Sequence, residues 1–176
     1  MSRRNIVLVG FMGTGKTSVA NLLTQQTGMP LLDMDTIIEA RQGKSITRIF
    51  TEEGEPFFRQ IEHQLAQELS TPNGNIISTG GGIVTNPANI AALARGGLVV
   101  CLQASVDEIL RRVADDTTRP LLQTPDRKSR ITTLLATRTP LYNAIPFQIQ
   151  TDGKSIQDIA AEIRQAYRQE TIKYSD

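Results

Sequence analysis

The stretch "NIVLVGFMGTGKTSVANLL", residues 5–23, decides the fold. An apolar run leads into three glycines within six residues, followed by one lysine and a helical pattern. Glycine loses much conformational entropy in ordered structure, so a glycine-rich loop indicates that the backbone must approach something closely. Gly10, Gly15, Lys16 and Thr17 satisfy G-x-x-x-x-G-K-[ST] between a strand pattern and a helix pattern. The stretch therefore predicts a phosphate-binding loop.

Such a loop is suited to a nucleoside triphosphate with Mg²⁺. Its backbone N–H groups turn inward around phosphate oxygens, and the N-terminus of the next helix adds partial positive charge. Lys16 is predicted to reach the β and γ phosphates, and the Thr17 hydroxyl to bind Mg²⁺. The other predicted ATP contacts in the loop are Gly13, Thr14, Gly15 and Ser18.

Five β-branched runs recur along the chain, and each precedes a helical pattern. They are "NIVLVG", "PLLDMD", "NIISTGG", "GLVVCLQ" and "PFQIQTD". This alternation predicts an α/β fold, a parallel sheet flanked by helices, in a single domain over residues 1–176. Residues 34–74 carry two or three helical stretches and predict an inserted subdomain. The irregular segment 114–129 is either a surface loop or a mobile lid.

Composition and charge favour a small partner. The 176 residues contain 19 basic and 18 acidic side chains, and a formal charge of +1 provides no field for nucleic acid or an anionic membrane. Cys101 is the single cysteine, which excludes an intramolecular disulfide, and its apolar neighbours predict burial. The absence of a signal-peptide pattern and of a long apolar window predicts a cytoplasmic protein.

The segments after the second and third strands separate the classes of nucleotide-binding protein. N-K-x-D is absent, and "NIISTGGG" ends in Ser78 and Thr79 rather than an acid, which argues against a GTPase and against an ATPase motor. Asp33 and Asp35 follow the second strand. Alternating residues of an extended segment point to opposite faces, so one acid could hold water around Mg²⁺ while the other faces an acceptor hydroxyl. Two solvated loop acids are the alternative.

Isolated arginines and one histidine complete the set of candidates. Arginine forks bind carboxylates or phosphates with two hydrogen bonds, although a single arginine is more often part of a surface ion pair. Arg59, Arg119 and Arg138 are such residues, in apolar or turn-rich surroundings. His63 lies off the apolar face of its helix pattern and is predicted to be solvent-exposed, without a metal or catalytic role.

Six motifs together resemble the shikimate kinase family over roughly residues 5–165. They are "GFMGTGKTS", "LLDMDTIIEARQGKSITRIF", "GEPFFRQIE", "STGGGIV", "RRVADDTTRPLL" and "ATRTPLY". The resemblance implies a five-stranded parallel P-loop sheet with a substrate-binding subdomain and a lid, similar to the nucleoside monophosphate kinases. It also implies an enzyme that phosphorylates the 3-hydroxyl of shikimate with ATP and Mg²⁺, in aromatic amino-acid biosynthesis. We expect the protein to be a monomer.

The resemblance implies roles on the acceptor side of the site. Asp35 would hold the substrate hydroxyls and accept a proton, while Arg59 and Arg138 would bind the substrate carboxylate. Glu62, one helical turn from Arg59, would orient that arginine. The glycine turn would also bind substrate, through Gly80, Gly81 and Gly82, with Gly81 N–H as a donor. Phe50 and Phe58 match positions that wall the pocket, with ordinary core packing as the alternative.

On the nucleotide side, the resemblance implies that Thr17 and, through water, Asp33 hold Mg²⁺. Arg119, on the lid, would reach the transferring phosphate and act in catalysis with Lys16 and Asp35. Arg112 would lie over the adenine. Relatives often have a proline against the second adenine face, but this chain reads "QTDGKSIQD", which leaves Lys154 or Ile156 for that position.

Two other functions remain open at this point. A P-loop kinase of another small hydroxy acid, such as gluconate, would share the loop, although the paired arginines and the G-G-G turn favour shikimate. A non-catalytic nucleotide-binding homologue should have lost a residue of the phosphate or acceptor site, and none of the motif residues is missing.

Overall fold

A computed structural model of the chain describes residues 3–114 and 126–173, which form five strands and eight α-helices. In chain order they are β1 (Asn5–Gly10), α1 (Lys16–Thr27), β2 (Leu31–Asp33), α2 (Met34–Gln42), α3 (Ile46–Glu52), α4 (Glu55–Glu68), β3 (Ile76–Ser78), a 3-10 turn (Ile83–Thr85), α5 (Pro87–Gly96), β4 (Gly97–Gln103), α6 (Val106–Arg112), α7 (Arg127–Asn143), β5 (Phe147–Gln150) and α8 (Ile156–Lys173).

The strands form one parallel sheet in the order β2-β3-β1-β4-β5. β1 is central, and its Leu8 lies opposite Ser78 of β3 and Val100 of β4. Parallel neighbours need crossover connections, which the helices supply. The predicted α/β fold with five parallel strands is confirmed. All carboxyl ends of the strands lie at one edge, where ligands bind in open α/β sheets.

β1 is buried on both faces and divides the apolar core into two layers. Ile6 and Leu8 pack in one layer with side chains of α1 and α8. Val7 and Val9 pack in the other layer with side chains of α4 and α5. Continuous apolar runs are typical of strands covered by helices on both faces, so the alternation of neighbouring residues fixes which layer each one enters.

Helices α2, α3 and α4 occupy much of residues 34–74.

The prediction that His63, on α4, is solvent-exposed is wrong. His63 is half-buried, and its Nδ1 lies 2.6 Å from Oδ1 of Asn89, a buried residue of α5. The pattern of α4 alone could not show this, because the covering side chain comes from another helix.

Cys101 lies on β4 and is fully buried, as predicted. Burial raises the pKa of its thiol to about 11. Among residues 3–114 and 126–173, no helix has the length and apolar character needed to cross a membrane.

Candidate active site

The loop between β1 and α1 has the backbone shape of a phosphate-binding turn. Gly13 and Gly15 have φ angles of 74° and 96°, in the left-handed region that glycine adopts without strain. α1 begins at Lys16, so its first N–H groups lie at the end of this loop. The Lys16 ammonium donates to the carbonyls of Gly10 at 2.7 Å and Phe11 at 3.0 Å. The lysine is therefore held across the mouth of the loop.

A cavity of about 550 Å³ opens at this loop. Its volume lies within the range of roughly 300–1,000 Å³ common for small-molecule sites. The lining residues predicted to bind ATP are Gly13, Thr14, Gly15, Lys16, Thr17, Ser18, Arg112 and Lys154. Lining residues that the sequence analysis did not assign include Ser78, Thr79, Arg111, Ser155 and Ile159. Adjacency to an assigned residue is the only signal that could have found most of them.

Asp33 and Asp35 both line the cavity, but they do not lie on one extended segment as the sequence analysis expected. β2 ends at Asp33, whose Oδ1 accepts hydrogen bonds from the Thr36 N–H at 3.1 Å and the Thr36 hydroxyl at 3.3 Å. Asp33 is therefore the N-cap of α2, and Asp35 lies in its first turn. The expectation of one extended segment is wrong, because the cap ends the strand before Asp35.

The glycine turn after β3 contacts both sides of the site. A Cβ built on Gly80 would lie 2.8 Å from Asp35 Oδ1, and one on Gly82 would overlap the Arg59 guanidinium. Gly81 approaches the backbone of the phosphate-binding loop, where a Cβ would lie 3.5 Å from the nearest atoms. A larger residue at either end of the turn would therefore displace a charged side chain.

Arg59 is held by two carboxylates of its own helix. Its Nη1 donates to Glu62 Oε2 at 2.7 Å, the contact that the family resemblance implied for two residues one helical turn apart. Its Nε and Nη2 donate to Glu55 Oε1 at 3.1 and 3.0 Å, and the sequence analysis missed this partner although it lies four residues before Arg59. The Arg59 fork is thus fixed from both sides.

Glu62 lies at the centre of a group of charged side chains near the glycine turn. It is 2% exposed, and this burial raises the pKa of its carboxyl. The charges of Arg59 and Arg138 act against that rise, and the charge of Asp35 adds to it. The four charged groups therefore form one cluster beside the cavity.

α7 brings two side chains to the glycine turn. Arg138 Nη1 donates to the Gly81 carbonyl at 3.4 Å, and its guanidinium carbon lies 6.0 Å from the ring centroid of Phe11. The Tyr142 hydroxyl donates to the same carbonyl at 2.6 Å. Arg59, Arg138 and Gly82 are not lining residues of the cavity and lie beside it, next to its glycine wall.

Arg112 and the start of α8 form the other end of the cavity. Arg112 Nη1 donates to the Gly13 carbonyl at 3.3 Å and to Thr151 Oγ1 at 3.0 Å, which ties α6 to the loop. Lys154 and Ile156 both line the cavity, and Ile156 is 42% exposed. Both alternatives for the second adenine face therefore remain.

The remaining predicted residues are the two phenylalanines of the pocket wall and the residues of the lid. Phe58 is buried in the core, whereas Phe50 is 37% exposed with its ring centroid 4.8 Å from that of Phe58. Arg119 and residues 115–125 of the predicted lid lie outside the described residues, so both stay predictions.

A five-stranded parallel sheet with a phosphate-binding loop at its central strand, next to a cluster of charged side chains, defines a P-loop kinase. The family model "Shikimate kinase" matches residues 12–168. The shikimate kinase of Geobacter metallireducens is 42% identical over 162 residues, which is 92% of this chain and 90% of that protein. The chain belongs to the shikimate kinase family.

Solved structures agree with this assignment. A structure described as shikimate kinase from Acinetobacter baumannii in complex with shikimate is 37% identical, with a TM-score of 0.87, and covers 96% of this chain and 94% of that one. A gluconokinase from Sinorhizobium meliloti 1021 is 16% identical, with a TM-score of 0.63 over 98% of this chain and 97% of that one. The second likeness shows the fold alone, so the gluconate alternative is not favoured.

Proposed function

We propose that this chain transfers the γ-phosphoryl group of ATP to the 3-hydroxyl of shikimate, giving ADP and shikimate 3-phosphate for aromatic amino-acid biosynthesis. One observation carries the proposal: Asp35 lines the nucleotide cavity and also lies against Gly80, in the turn that meets both arginines. The nucleotide pocket and the acceptor cluster thus meet at one carboxylate.

On the acceptor side, the carboxylate of shikimate would accept hydrogen bonds from the forks of Arg59 and Arg138. Glu55 and Glu62 orient the first fork, and Gly81 N–H would add a backbone donor. We extend the proposal to residues 34–74 as the substrate-binding subdomain, since Asp35, Arg59 and Glu62 all lie in that range.

On the nucleotide side, the loop and Lys16 would hold the phosphates, and Arg112 would lie over the adenine. Thr17 and Asp33 are the residues that would hold Mg²⁺, the latter through water. In the part of the chain that the structure describes, no cluster of three or more His, Cys, Asp or Glu could enclose a metal. A hydroxyl and a carboxylate fit an ion that arrives with phosphate ligands. When bound, Mg²⁺ would supply positive charge to the phosphate oxygens.

The chemical step depends mainly on the position of the acceptor oxygen. Phosphoryl transfer has a loose transition state, so placing that oxygen in line with the γ-phosphorus contributes more than a strong base does. The 3-oxygen of shikimate forms a new bond to this phosphorus, and the bond to the β–γ bridging oxygen breaks. Asp35 would hold the hydroxyl and take its proton late in the step. Lys16 would stabilise the charge that develops on the leaving ADP.

A coupled ADP-release assay tests the proposal directly. ADP release should require shikimate, and gluconate at the same concentration should give only the background rate. Each bound ligand should also raise the melting temperature, because a ligand that binds only the native state stabilises it. ADP release that is equal with gluconate, or absent with shikimate, would contradict the assignment.

A further inference from the structure

The Gly81 carbonyl is the point where two donors of α7 meet. Tyr142 Oη lies 2.6 Å from this oxygen, within the usual range of an O–H···O hydrogen bond. Arg138 Nη1 lies 3.4 Å away, near the outer limit for N–H···O. The two donors are four residues apart on α7, so they lie on one face of the helix and reach the same carbonyl.

Tyr142 is a permanent donor at this position. Its side chain is 3% exposed, and burial raises the pKa of its phenol to about 12, so the hydroxyl keeps its proton at neutral pH. The positive charge of Arg138 acts against that rise. The guanidinium and the phenol therefore lie near each other and donate to the same carbonyl.

The proposed substrate contact creates a competition for Arg138. Its N–H groups can donate to the Gly81 carbonyl or to a substrate carboxylate, and the charged acceptor forms the stronger hydrogen bond. If Arg138 were the only donor, its transfer to the substrate would leave this partly buried carbonyl without a protein partner, which costs free energy to the extent that water is kept from it. A second donor that stays on the carbonyl removes this cost.

The hydrogen bond of Tyr142 also fixes the orientation of the glycine turn. It holds the peptide unit between Gly81 and Gly82, and Gly82 lies directly against the Arg59 guanidinium. Through the glycine turn, Tyr142 is therefore linked to both arginines: Arg138 donates to the same Gly81 carbonyl, and Arg59 lies against Gly82.

We infer that Tyr142 is a positioning residue for the acceptor: it holds the Gly81 carbonyl so that Arg138 is available to the substrate carboxylate. This inference rests on the proposed function, in which Arg138 binds that carboxylate. It predicts an effect on shikimate affinity and almost none on the chemical step or on ATP.

The test compares Tyr142→Phe with a matched control, Tyr167→Phe. Tyr167 lies on α8, and its Oη also donates to a main-chain carbonyl at 2.6 Å. That carbonyl belongs to Arg4, the residue before the start of β1. Tyr142→Phe should raise the KM and Kd for shikimate about tenfold, equivalent to ~1.4 kcal/mol, with kcat and the KM for ATP within about twofold of wild type. Tyr167→Phe should change none of these values, and the melting temperatures of both variants report on the fold.

A double-mutant cycle separates positioning from a structural effect. In an Arg138→Ala background, Tyr142→Phe should lower kcat/KM for shikimate by less than about twofold, because the competition no longer exists. Equal factors in both backgrounds, or a loss confined to kcat, would overturn the role of Tyr142. The ADP-release assay of the wild-type protein tests the proposed function separately. If that release does not depend on shikimate, the proposed function itself is overturned.

Discussion

Replacing Asp33 with Asn separates the two functions that the structure and the proposed mechanism give this residue. As the N-cap of α2, Asp33 accepts hydrogen bonds from Thr36 through Oδ1. Asn keeps an oxygen that can accept both, and Asn and Asp cap helices about equally well. The unfolding free energy should therefore stay within about 0.5 kcal/mol of wild type. What the substitution removes is the negative charge beside the proposed Mg²⁺.

The size of the effect follows from the proposed contact through water. A hydrogen bond to a charged group contributes about 1.5–3 kcal/mol, so the Mg²⁺ concentration for half-maximal rate should rise roughly 10- to 150-fold. Saturating Mg²⁺ should restore most of kcat, because Asp33 does not hold the acceptor. The measurement is ADP release at fixed ATP and shikimate across a Mg²⁺ titration.

Two further variants serve as controls. Asp33→Ala removes the cap as well as the charge, so its melting temperature should fall by about 2–4 °C while its Mg²⁺ requirement rises as in Asp33→Asn. Asp35→Asn should lose most of kcat with ATP binding retained, and added Mg²⁺ should not restore the rate. Rescue of Asp35→Asn by Mg²⁺, with Asp33→Asn unresponsive, would show that the two roles are reversed.

Three other predictions concern charge and burial. Lys16→Met should abolish ADP release while the melting temperature stays near that of wild type; a near-normal kcat would contradict the role of the phosphate-binding loop. Arg59→Ala should weaken shikimate binding by about 2–5 kcal/mol and leave ATP binding unchanged. Arg41→Ala, which removes only an exposed ion pair with Glu68, should change neither affinity. Equal losses of shikimate affinity for the two variants in isothermal titration would refute the acceptor site. The folded-state pKa of Cys101 is raised from 9.0 to about 11, so the stability linked to this protonated thiol is present below pH 9 and is lost as the pH rises toward 11. Over that interval the unfolding free energy of Cys101→Ala should fall less steeply with pH than that of the wild type. Parallel curves for the two proteins would contradict the shift.

The sequence alone determined the features that depend on neighbours within a few residues. The phosphate-binding loop follows from its own glycines and lysine, and the five strands follow from short apolar runs between helical patterns. The contact between Arg59 and Glu62 follows from helical spacing, because side chains three or four residues apart lie on the same face. Each of these results requires only local backbone geometry.

Only the tertiary structure decided how distant segments meet. Half-burial of His63 depends on α5, and the hydrogen bond from Tyr142 to Gly81 joins residues 61 positions apart. The placement of Asp35 in a helical turn depends on whether Asp33 extends the strand or caps the helix, and the local pattern allows both. The physical reason is that packing between elements sets which side chains lose water and which donor reaches which acceptor, and no periodicity within one element contains that information.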